Sequence, residues 1–319
     1  MSDMIATRDA YGKALLQLGR ENPNIVVLDA DLTNSTKTEL FARAFPQRFF
    51  NLGIAEQDLM ATASGLAGEG KIVFASSFAC FASRGWEHAR VTLAFGKRNV
   101  KIVATHGGIS VGEDGAVAQM NEDIAIWRAL PNMTVIVPAD AVETEKAVRA
   151  AAALEGPVYI RLGRPKVPVI CDENYDFKLG RANLLREGAD VAIFACGIMV
   201  AHSLEAAERL EERGISAAVL NMATVKPLDA ETLTQWAERT RAVVTAEEHS
   251  IIGGLGSAVA EVLAEKLPTP MERVGIKDCF GESGTSEELF HKYGLTAEHV
   301  AAACQRVVAK SKATRPSQA

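Results

Sequence analysis

The sequence lacks the cysteine patterns of disulfide-rich and zinc-binding proteins. Its cysteines form no C-x-x-C pair and no spacing typical of metal ligands; they are Cys80, Cys171, Cys196, Cys279 and Cys304. An odd, scattered set of this kind is typical of reduced thiols in a cytosolic protein. No apolar run approaches the ~20 residues that a membrane-spanning helix needs, and residues 1–5 lack the features of a secretory signal. We therefore expect a cytoplasmic protein that does not enter a membrane.

The sequence also lacks an excess of positive charge. Its net charge is −6, whereas a general nucleic-acid surface normally shows a basic stripe, so we expect no nucleic-acid partner. The length of 319 residues predicts two domains. The hydrophobic content of 48% is enough for sizeable cores.

Short β-branched runs alternate with helical patterns along the chain. The runs at residues 25–28, 72–75, 100–104 and 134–137 are typical of buried parallel strands. Strand–helix alternation indicates βαβ units and a parallel sheet covered on both faces. A second, shorter alternation begins at residue 191. The pattern predicts an α/β protein with two doubly wound domains, of which the second is the smaller.

Domain boundaries follow from where these patterns stop. We predict a first domain over residues 1–165 and a second over residues 189–310. Residues 166–188 are rich in Pro, Gly, Lys and Asp without a sustained period, and are interpreted as a linker. Residues 311–319 are expected to form a flexible tail.

The most informative stretch is N-L-G-I-A-E-Q-D-L-M at residues 51–60. Glu56 follows a glycine turn and precedes a helix of small residues, so its neighbours are mostly apolar. Such a setting suits a carboxyl group that must share a proton. The alternative is a structural carboxylate that complements the dipole of a helix N-terminus.

Polar residues follow the predicted strands at residues 25–28, 72–75 and 100–104, and also a last predicted strand of the first domain at residues 158–161. The carboxyl ends of parallel strands are where open α/β sheets build their sites. The segments concerned are residues 29–35, 76–85, 105–115 and 162–165, and Arg8 near the N-terminus completes the set.

These segments resemble transketolase, in its pyrimidine-binding and C-terminal domains. The resemblance rests on the order and spacing of G-I-A-E-Q at residues 53–57, V-G-E-D-G at 111–115 and P-N-M at 131–133. It runs over nearly the whole chain, from Ala6 to Gly284. The resemblance implies a thiamine diphosphate pyrimidine-binding domain followed by a smaller transketolase C-terminal domain.

The resemblance also implies thiamine diphosphate as cofactor. Glu56 matches the position of the carboxyl group that bonds to the pyrimidine ring nitrogen and drives proton transfer. Phe78 and Phe81, three residues apart at the entry to a helix, can present both rings to the flat pyrimidine, although phenylalanine alone would favour ordinary core packing. Asp31 matches a position near the thiazolium, with a helix N-cap as the alternative. Arg84 stands at a cofactor position where many relatives have a third aromatic ring.

By the same resemblance, a group of polar residues holds the sugar substrate and its terminal phosphate: Arg8, Ser35, His106, Asp114 and Arg164. Arginine offers a rigid fork for phosphate oxygens, and His106, predicted to be catalytic as well, can donate to a hydroxyl or an oxyanion. Purely structural alternatives remain open. They are His106 as a buried histidine with its hydrogen bonds made, Asp114 as a turn residue, and Arg164 as a solvated linker charge.

The sequence departs from the family at Ala118 as well as at Arg84, and it also lacks one family signature. The family commonly continues E-D-G-P-T-H-Q, but here Ala118 replaces the histidine, which puts the usual pentose phosphate acceptors in doubt. The G-D-G…N signature that anchors Mg²⁺ and the diphosphate is missing, so we predict no metal site in this chain. A transketolase chain is about twice this length by resemblance. We therefore expect an N-terminal partner subunit that holds Mg²⁺ and shares the cofactor in an α2β2 assembly.

The resulting hypothesis is the C-terminal subunit of a split transketolase that transfers a two-carbon ketol unit between phosphorylated sugars or related aldehydes. Three alternatives stay open. They are the β subunit of a 2-oxoacid dehydrogenase first component, a deoxyxylulose-phosphate-synthase-like enzyme, and a non-catalytic scaffold. Arg8, His106 and Arg164 argue against the first, and Glu56 argues against the last.

Overall fold

The computed structural model describes residues 3–313 and contains two large β-sheets. Its strands are β1 (Met4–Ala6), β2 (Ile25–Asp29), β3 (Phe49–Asn51), β4 (Ile72–Phe78), β5 (Val100–Thr105), β6 (Thr134–Ile136), β7 (Val158–Arg161), β8 (Lys166–Pro168), β9 (Asn183–Arg186), β10 (Val191–Ala195), β11 (Ala217–Asn221), β12 (Thr224–Lys226), β13 (Val243–Ser250) and β14 (Met271–Ile276).

Helices connect these strands on both sides of the sheets. They are α1 (Thr7–Glu21), α2 (Thr33–Thr36), α3 (Glu39–Ala44), α4 (Glu56–Gly68), α5 (Ala79–Ala82), α6 (Trp86–His88), α7 (Asp123–Arg128), α8 (Ala141–Ala153), α9 (Met199–Glu211), α10 (Ala230–Thr240), α11 (Leu255–Lys266), α12 (Ser286–Tyr293) and α13 (Ala297–Ala313). Short 3₁₀ turns span Pro46–Arg48, Ser83–Gly85 and Ile109–Asp114, and a π-helical turn spans Ala89–Ala94. None of the helices within residues 3–313 has the length and apolar character needed to cross a membrane.

The first sheet has seven strands in the order β12-β6-β7-β5-β4-β2-β3. All neighbours pair in parallel except β12, which runs antiparallel to β6. Every residue of β2 and β5 is buried, as expected for central strands with helices on both faces. The strands predicted at residues 25–28, 72–75 and 100–104 are confirmed.

The second sheet has five strands in the order β14-β13-β10-β11-β9, parallel except for β9. The predicted fold class, α/β with two doubly wound domains and a smaller second domain, is confirmed. Within the segment interpreted as a linker, β8 pairs with β1 and β9 forms the edge of the second sheet. Of the predicted tail, residues 311–313 belong to α13, and residues 314–319 lie outside the described part of the chain.

Local capping signals explain where several helices begin. The Asp140 side chain accepts a hydrogen bond from the backbone of Glu143 at 2.8 Å and starts α8. Thr285 and Glu288 form a capping box at the start of α12, and Gly294, at φ +74°, ends that helix. Such caps satisfy backbone groups that the helix leaves unpaired, and an N-cap contributes ~1 kcal/mol.

The two sheets do not stand apart. Strand β12 follows β11 of the second sheet in sequence but pairs with β6 of the first. One hydrophobic cluster contains Leu28 and Trp127 together with Phe194 and Leu255 of the second domain. One face of the first sheet thus shares a core with the second domain.

Candidate active site

The predicted site residues lie where neighbouring strands of the first sheet end. Strands β7, β5, β4 and β2 are consecutive in the sheet. Phe78 ends β4, His106 directly follows β5, and Arg164 comes three residues after β7. The sheet order therefore brings side chains that are far apart in sequence to one edge.

Glu56 is the first residue of α4, and only 4% of it is exposed. Gly53, at φ +73°, supplies the turn before it, and Ala55 offers no side-chain cap to the helix. The Oε2 atom lies 3.5 Å from Nη1 of Arg84. Among the described residues, the buried Oε1 atom has no hydrogen-bond partner. Oε2 of the carboxyl group thus has a charged partner, whereas Oε1 has no partner among these residues.

Phe78 and Phe81 form a stacked pair near Glu56. Their ring centroids are 5.5 Å apart with an interplanar angle of 11°. The guanidinium carbon of Arg84 lies 4.7 Å from the centroid of Phe81, within the range of a cation–π contact. The predicted stacking residues are therefore together, but they stack on each other, so a ligand ring must use an outer face or an edge.

His106 joins the aromatic pair to the cationic part of the site. Its ring centroid lies 3.7 Å from that of Phe78, with an interplanar angle of 24°. Arg8 Nη1 donates to Nε2 of His106 at 3.3 Å, and Nδ1 lies 2.8 Å from the Thr105 hydroxyl. Because arginine only donates, Nε2 must accept and the ring proton sits on Nδ1, where it bonds to Thr105. Burial, assisted by Arg8 and Arg164, lowers the pKa of His106 to about 3, so the imidazole is neutral.

Arg8 sits in the first turn of α1, in a partly buried position. Its Nη1 atom also donates to the Ser35 carbonyl at 3.2 Å, and its buried Nε has no partner within residues 3–313. Burial lowers the pKa of Arg8, with the nearby Arg164 acting in the same direction. Two guanidinium groups beside a neutral imidazole form a pocket suited to an anion.

Arg164 is held by the loop that follows β5. It donates to the carbonyl of Val111, and its Nη1 lies 3.4 Å from Glu113 and 3.7 Å from Asp114. Its side chain is 35% exposed. Asp114 thus contacts an arginine of the site, and an anion would compete with these carboxylates for Arg164.

Asp31 lies on the exposed side of the same sheet edge. Its backbone N–H donates to Asn51 Oδ1 at 3.0 Å, and Asn51 Nδ2 donates to Asp31 Oδ1 at 3.2 Å. The Asp31 carboxylate does not cap the following helix. The buried Asp29 instead accepts from the backbone of Leu32 and the hydroxyls of Thr36 and Thr38, which shapes the loop that carries Ser35.

Sequence reasoning missed a buried network that joins the first domain to Glu248 of the second. Arg161 Nε donates to Asp123 at 2.8 Å, and its Nη2 donates to the carbonyl of Glu248 at 2.9 Å. Glu248 Oε1 in turn accepts from the backbone of Ser110 at 2.6 Å. A Cβ atom at Gly108 would lie 2.3 Å from Glu248 Oε1, so only glycine permits this approach. The pair Gly107-Gly108 was the signal in the sequence.

Within residues 3–313 no group of three or more His, Cys, Asp and Glu side chains could hold a metal ion.

Ala118 is half-buried in the loop after the 3₁₀ turn Ile109–Asp114, where its N–H donates to the carbonyl of Gly115 at 3.0 Å. The methyl group of Ala118 offers no hydrogen-bonding function to a substrate.

Comparison with known families shows which family this chain belongs to. Residues 3–169 match the pyrimidine binding domain of transketolase, and residues 180–300 match the transketolase C-terminal domain. The chain belongs to the transketolase family. The predicted resemblance is therefore confirmed over nearly the whole chain.

Transketolase relatives of similar length match from end to end. A Methanocaldococcus jannaschii protein described as a transketolase C-terminal section is 51% identical over 92% of this chain and 93% of its own length. A 6-deoxy-6-sulfo-D-fructose transketolase subunit of Clostridium sp. is 46% identical over 94% of each chain. A solved split gene transketolase, an inactive beta4 tetramer, superposes with a TM-score of 0.90 and 58% identity over 96% of this chain and 99% of its own.

Proposed function

We propose that the chain is the C-terminal subunit of a thiamine-diphosphate-dependent transketolase. Together with an N-terminal, pyrophosphate-binding subunit it transfers a two-carbon ketol unit between phosphorylated sugars or related aldehydes. The observation that carries the proposal is the buried Oε1 of Glu56, which has no hydrogen-bond partner within residues 3–313. The other oxygen, Oε2, begins a row of contacts that passes through Arg84, the stacked rings and His106 to Arg8.

The residues around Glu56 fit an aminopyrimidine ring. Leaving a buried acceptor without a partner costs about 1–3 kcal/mol, which a ring nitrogen bonded at Oε1 would recover. Phe78 and Phe81 offer aromatic surface for the flat ring. Thiamine diphosphate supplies, when bound, the nucleophilic carbon that carries the ketol unit. The task of Glu56 is to share a proton with the pyrimidine at Oε1.

The cationic part of the site fits the terminal anionic group of a sugar. Arg8 Nε has no hydrogen-bond partner in the described part of the chain, and Arg164 is partly exposed, so both can turn donors toward phosphate oxygens. Once Arg8 turns its Nη1 from His106 to the anion, His106 would donate from Nε2 after a change of tautomer. The Thr105 hydroxyl supports this change because it can donate to Nδ1 as well as accept from it. A 2-oxoacid dehydrogenase subunit has no need of these donors, and their presence therefore favours assignment as a transketolase subunit.

The sequence carries no G-D-G…N signature, and this supports the proposal of a shared cofactor site. The diphosphate carries most of the charge of the cofactor, and placing it in a buried site without a counter-charge would be costly. We propose that the N-terminal subunit brings the Mg²⁺ ion and its ligands. Exposed apolar residues beside α4 offer a face for such a partner. Ile54, just before α4, is 77% exposed, and the segment that packs along α4 carries Val91 at 46% and Phe95 at 85% exposure.

We propose an α2β2 assembly, in which two copies of this chain and two of the partner form the enzyme. The relative whose structure is an inactive beta4 tetramer supports self-association of the isolated chain without activity. The test is titration calorimetry with Mg²⁺ and thiamine diphosphate, first on the isolated chain and then with the product of a neighbouring reading frame that carries G-D-G…N.

We expect cofactor binding and ketol transfer only with both chains present. Micromolar binding together with ketol transfer by the isolated chain would overturn the split-enzyme proposal. Decarboxylation of a 2-oxoacid in place of ketol transfer would assign the assembly to the 2-oxoacid dehydrogenase class.

A further inference from the structure

We propose that Arg84 is a positioning residue that fixes the carboxyl group of Glu56 with Oε1 directed at the cofactor ring. The inference rests on the proposed function, because it takes the partner of Oε1 to be the pyrimidine of thiamine diphosphate. It assigns a role to the position where this chain departs from the aromatic residue of many relatives.

The first observation is the unequal use of the two carboxyl oxygens. Oε2 of Glu56 lies 3.5 Å from Arg84 Nη1, whereas Oε1 has no hydrogen-bond partner among residues 3–313. The last torsion of a glutamate side chain is broad and roughly two-fold, so an isolated carboxyl group would sample many orientations. An arginine on one oxygen selects one of these orientations and leaves the other oxygen free for a ligand.

The second observation is how the backbone places Arg84. A Cβ atom at Gly85 would lie 2.7 Å from the carbonyl oxygen of Glu56 and 2.7 Å from Cγ of Met60. Real Cβ atoms do not approach backbone oxygens so closely, so glycine is required for the turn Ser83–Gly85 to press against the start of α4. The glycine thereby sets Arg84 directly beside the carboxyl group.

The third observation is that Arg84 is held from a second side. Its guanidinium carbon lies 4.7 Å from the centroid of the Phe81 ring. An exposed ion pair alone does little for stability, because ordering a long side chain opposes the attraction. Here the aromatic ring shares in ordering the 54%-exposed Arg84 side chain, so the guanidinium is in place before any ligand arrives.

The test measures cofactor affinity in the assembled two-subunit enzyme by calorimetry with Mg²⁺ and thiamine diphosphate. We expect Arg84→Gln to raise the cofactor Kd about fivefold, the upper range for a partly exposed ion pair. Arg84→Lys, which keeps the charge but loses the planar fork, should show a smaller increase. In a Glu56→Gln background the further change from Arg84→Gln should fall below about twofold, because the interaction partner is already altered.

A matched control exists in the second domain. Arg239 is also 54% exposed, lies 3.0 Å from a carboxylate (Glu187) and 4.6 Å from the ring centroid of Trp236. Arg239→Gln should leave the cofactor Kd unchanged. If it raises the Kd as much as Arg84→Gln does, the effect is general and the positioning role is wrong.

The outcomes separate this inference from the proposed function. If Glu56→Gln changes the cofactor Kd but Arg84→Gln does not, or if the Arg84→Gln effect persists in full without the Glu56 carboxylate, Arg84 does not act through Glu56. Tighter binding by Arg84→Gln would make the arginine a competitor of the cofactor and would also overturn the inference. If Glu56→Gln itself leaves both cofactor affinity and proton exchange unchanged, the proposed cofactor role of Glu56 fails instead.

Discussion

The imidazole of His106 stacks on the ring of Phe78, with centroids 3.7 Å apart. The contact joins the pocket proposed for the cofactor to the pocket proposed for the substrate anion, since His106 also contacts Arg8. Both side chains come from the ends of adjacent strands, β4 and β5. A movement of the His106 ring would therefore displace the Phe78 ring, and the reverse.

Glu56→Ala should strongly reduce turnover of the two-subunit enzyme and leave the fold intact. Positioned proton transfer contributes typically 10²–10⁴-fold to a rate, so we expect a loss of about this size. The measurement is exchange of the C2 proton of bound thiamine diphosphate, with circular dichroism as the check on folding. Asp58→Asn, an exposed change in the first turn of the same helix, serves as control. Exchange at the wild-type rate in Glu56→Ala would remove Glu56 from the proton relay.

Arg164→Ala should raise KM for phosphorylated substrates and change kcat little, because the contact is made equally before and during reaction. Since Arg164 is partly exposed and shared with two carboxylates, we expect a loss of about 1–2 kcal/mol. Arg181→Ala, which removes an exposed ion-paired arginine elsewhere, is the control. A fall in cofactor affinity with KM unchanged would show that Arg164 faces the cofactor and not the substrate.

Ala118→His should shift acceptor preference toward pentose phosphates. The change restores an imidazole to a half-buried loop position that now presents only a methyl group. We expect the kcat/KM for ribose 5-phosphate, relative to the preferred acceptor, to rise about tenfold. Ala116→His, two residues earlier in the same half-buried loop, is the matched control. An unchanged ratio in Ala118→His would separate this position from specificity.

Lys101 makes stability depend on pH. It is fully buried, and burial lowers the pKa of its amine to about 7. A neutral amine keeps two N–H groups, which match the carbonyls of Leu154 and Gly156 at 2.6 and 2.7 Å. The pKa is lower in the folded chain than in the unfolded one, so the unfolded chain binds more protons between about pH 7 and pH 10.5. Lys101 therefore stabilises the fold increasingly as pH rises through this window.

Denaturant titrations at several pH values test this dependence. The contribution of Lys101 to the free energy of unfolding should rise by up to about 1.4 kcal/mol per pH unit above pH 7. Lys101→Met should remove this slope, whatever it does to stability at one pH. Lys13→Met, on an exposed part of α1, should leave the slope as in the unaltered chain. Equal slopes for the unaltered chain and Lys101→Met would mean that Lys101 titrates normally.

The sequence predicted the fold class and the core strands because their signals are local. Buried β-branched runs such as β2 and β5 have the same character in the sequence as in the sheet. The grouping of Phe78, His106 and Arg164 was also predictable, because neighbouring parallel strands end at one edge.

Contacts that depend on packing between distant segments were not predictable. Glu248 accepts a hydrogen bond from the backbone of Ser110, 138 residues away in the sequence. No hydrophobic period or sequence motif predicts such a pair. The pairing of Arg84 with Glu56 depends on how closely the Gly85 turn approaches α4. Glycine marks such places in a sequence but does not say what comes close.

Strand β12 has a consequence for how the chain can be divided. It covers the outer edge of β6, and no other strand within residues 3–313 lies beyond it in the first sheet. A fragment cut near residue 188 would keep β6 but lose its neighbour, leaving a row of unpaired backbone donors and acceptors beside an uncovered apolar surface. Such edges recruit strands from other molecules. The first half of this chain, released from the second, would accumulate as aggregates rather than as a working domain.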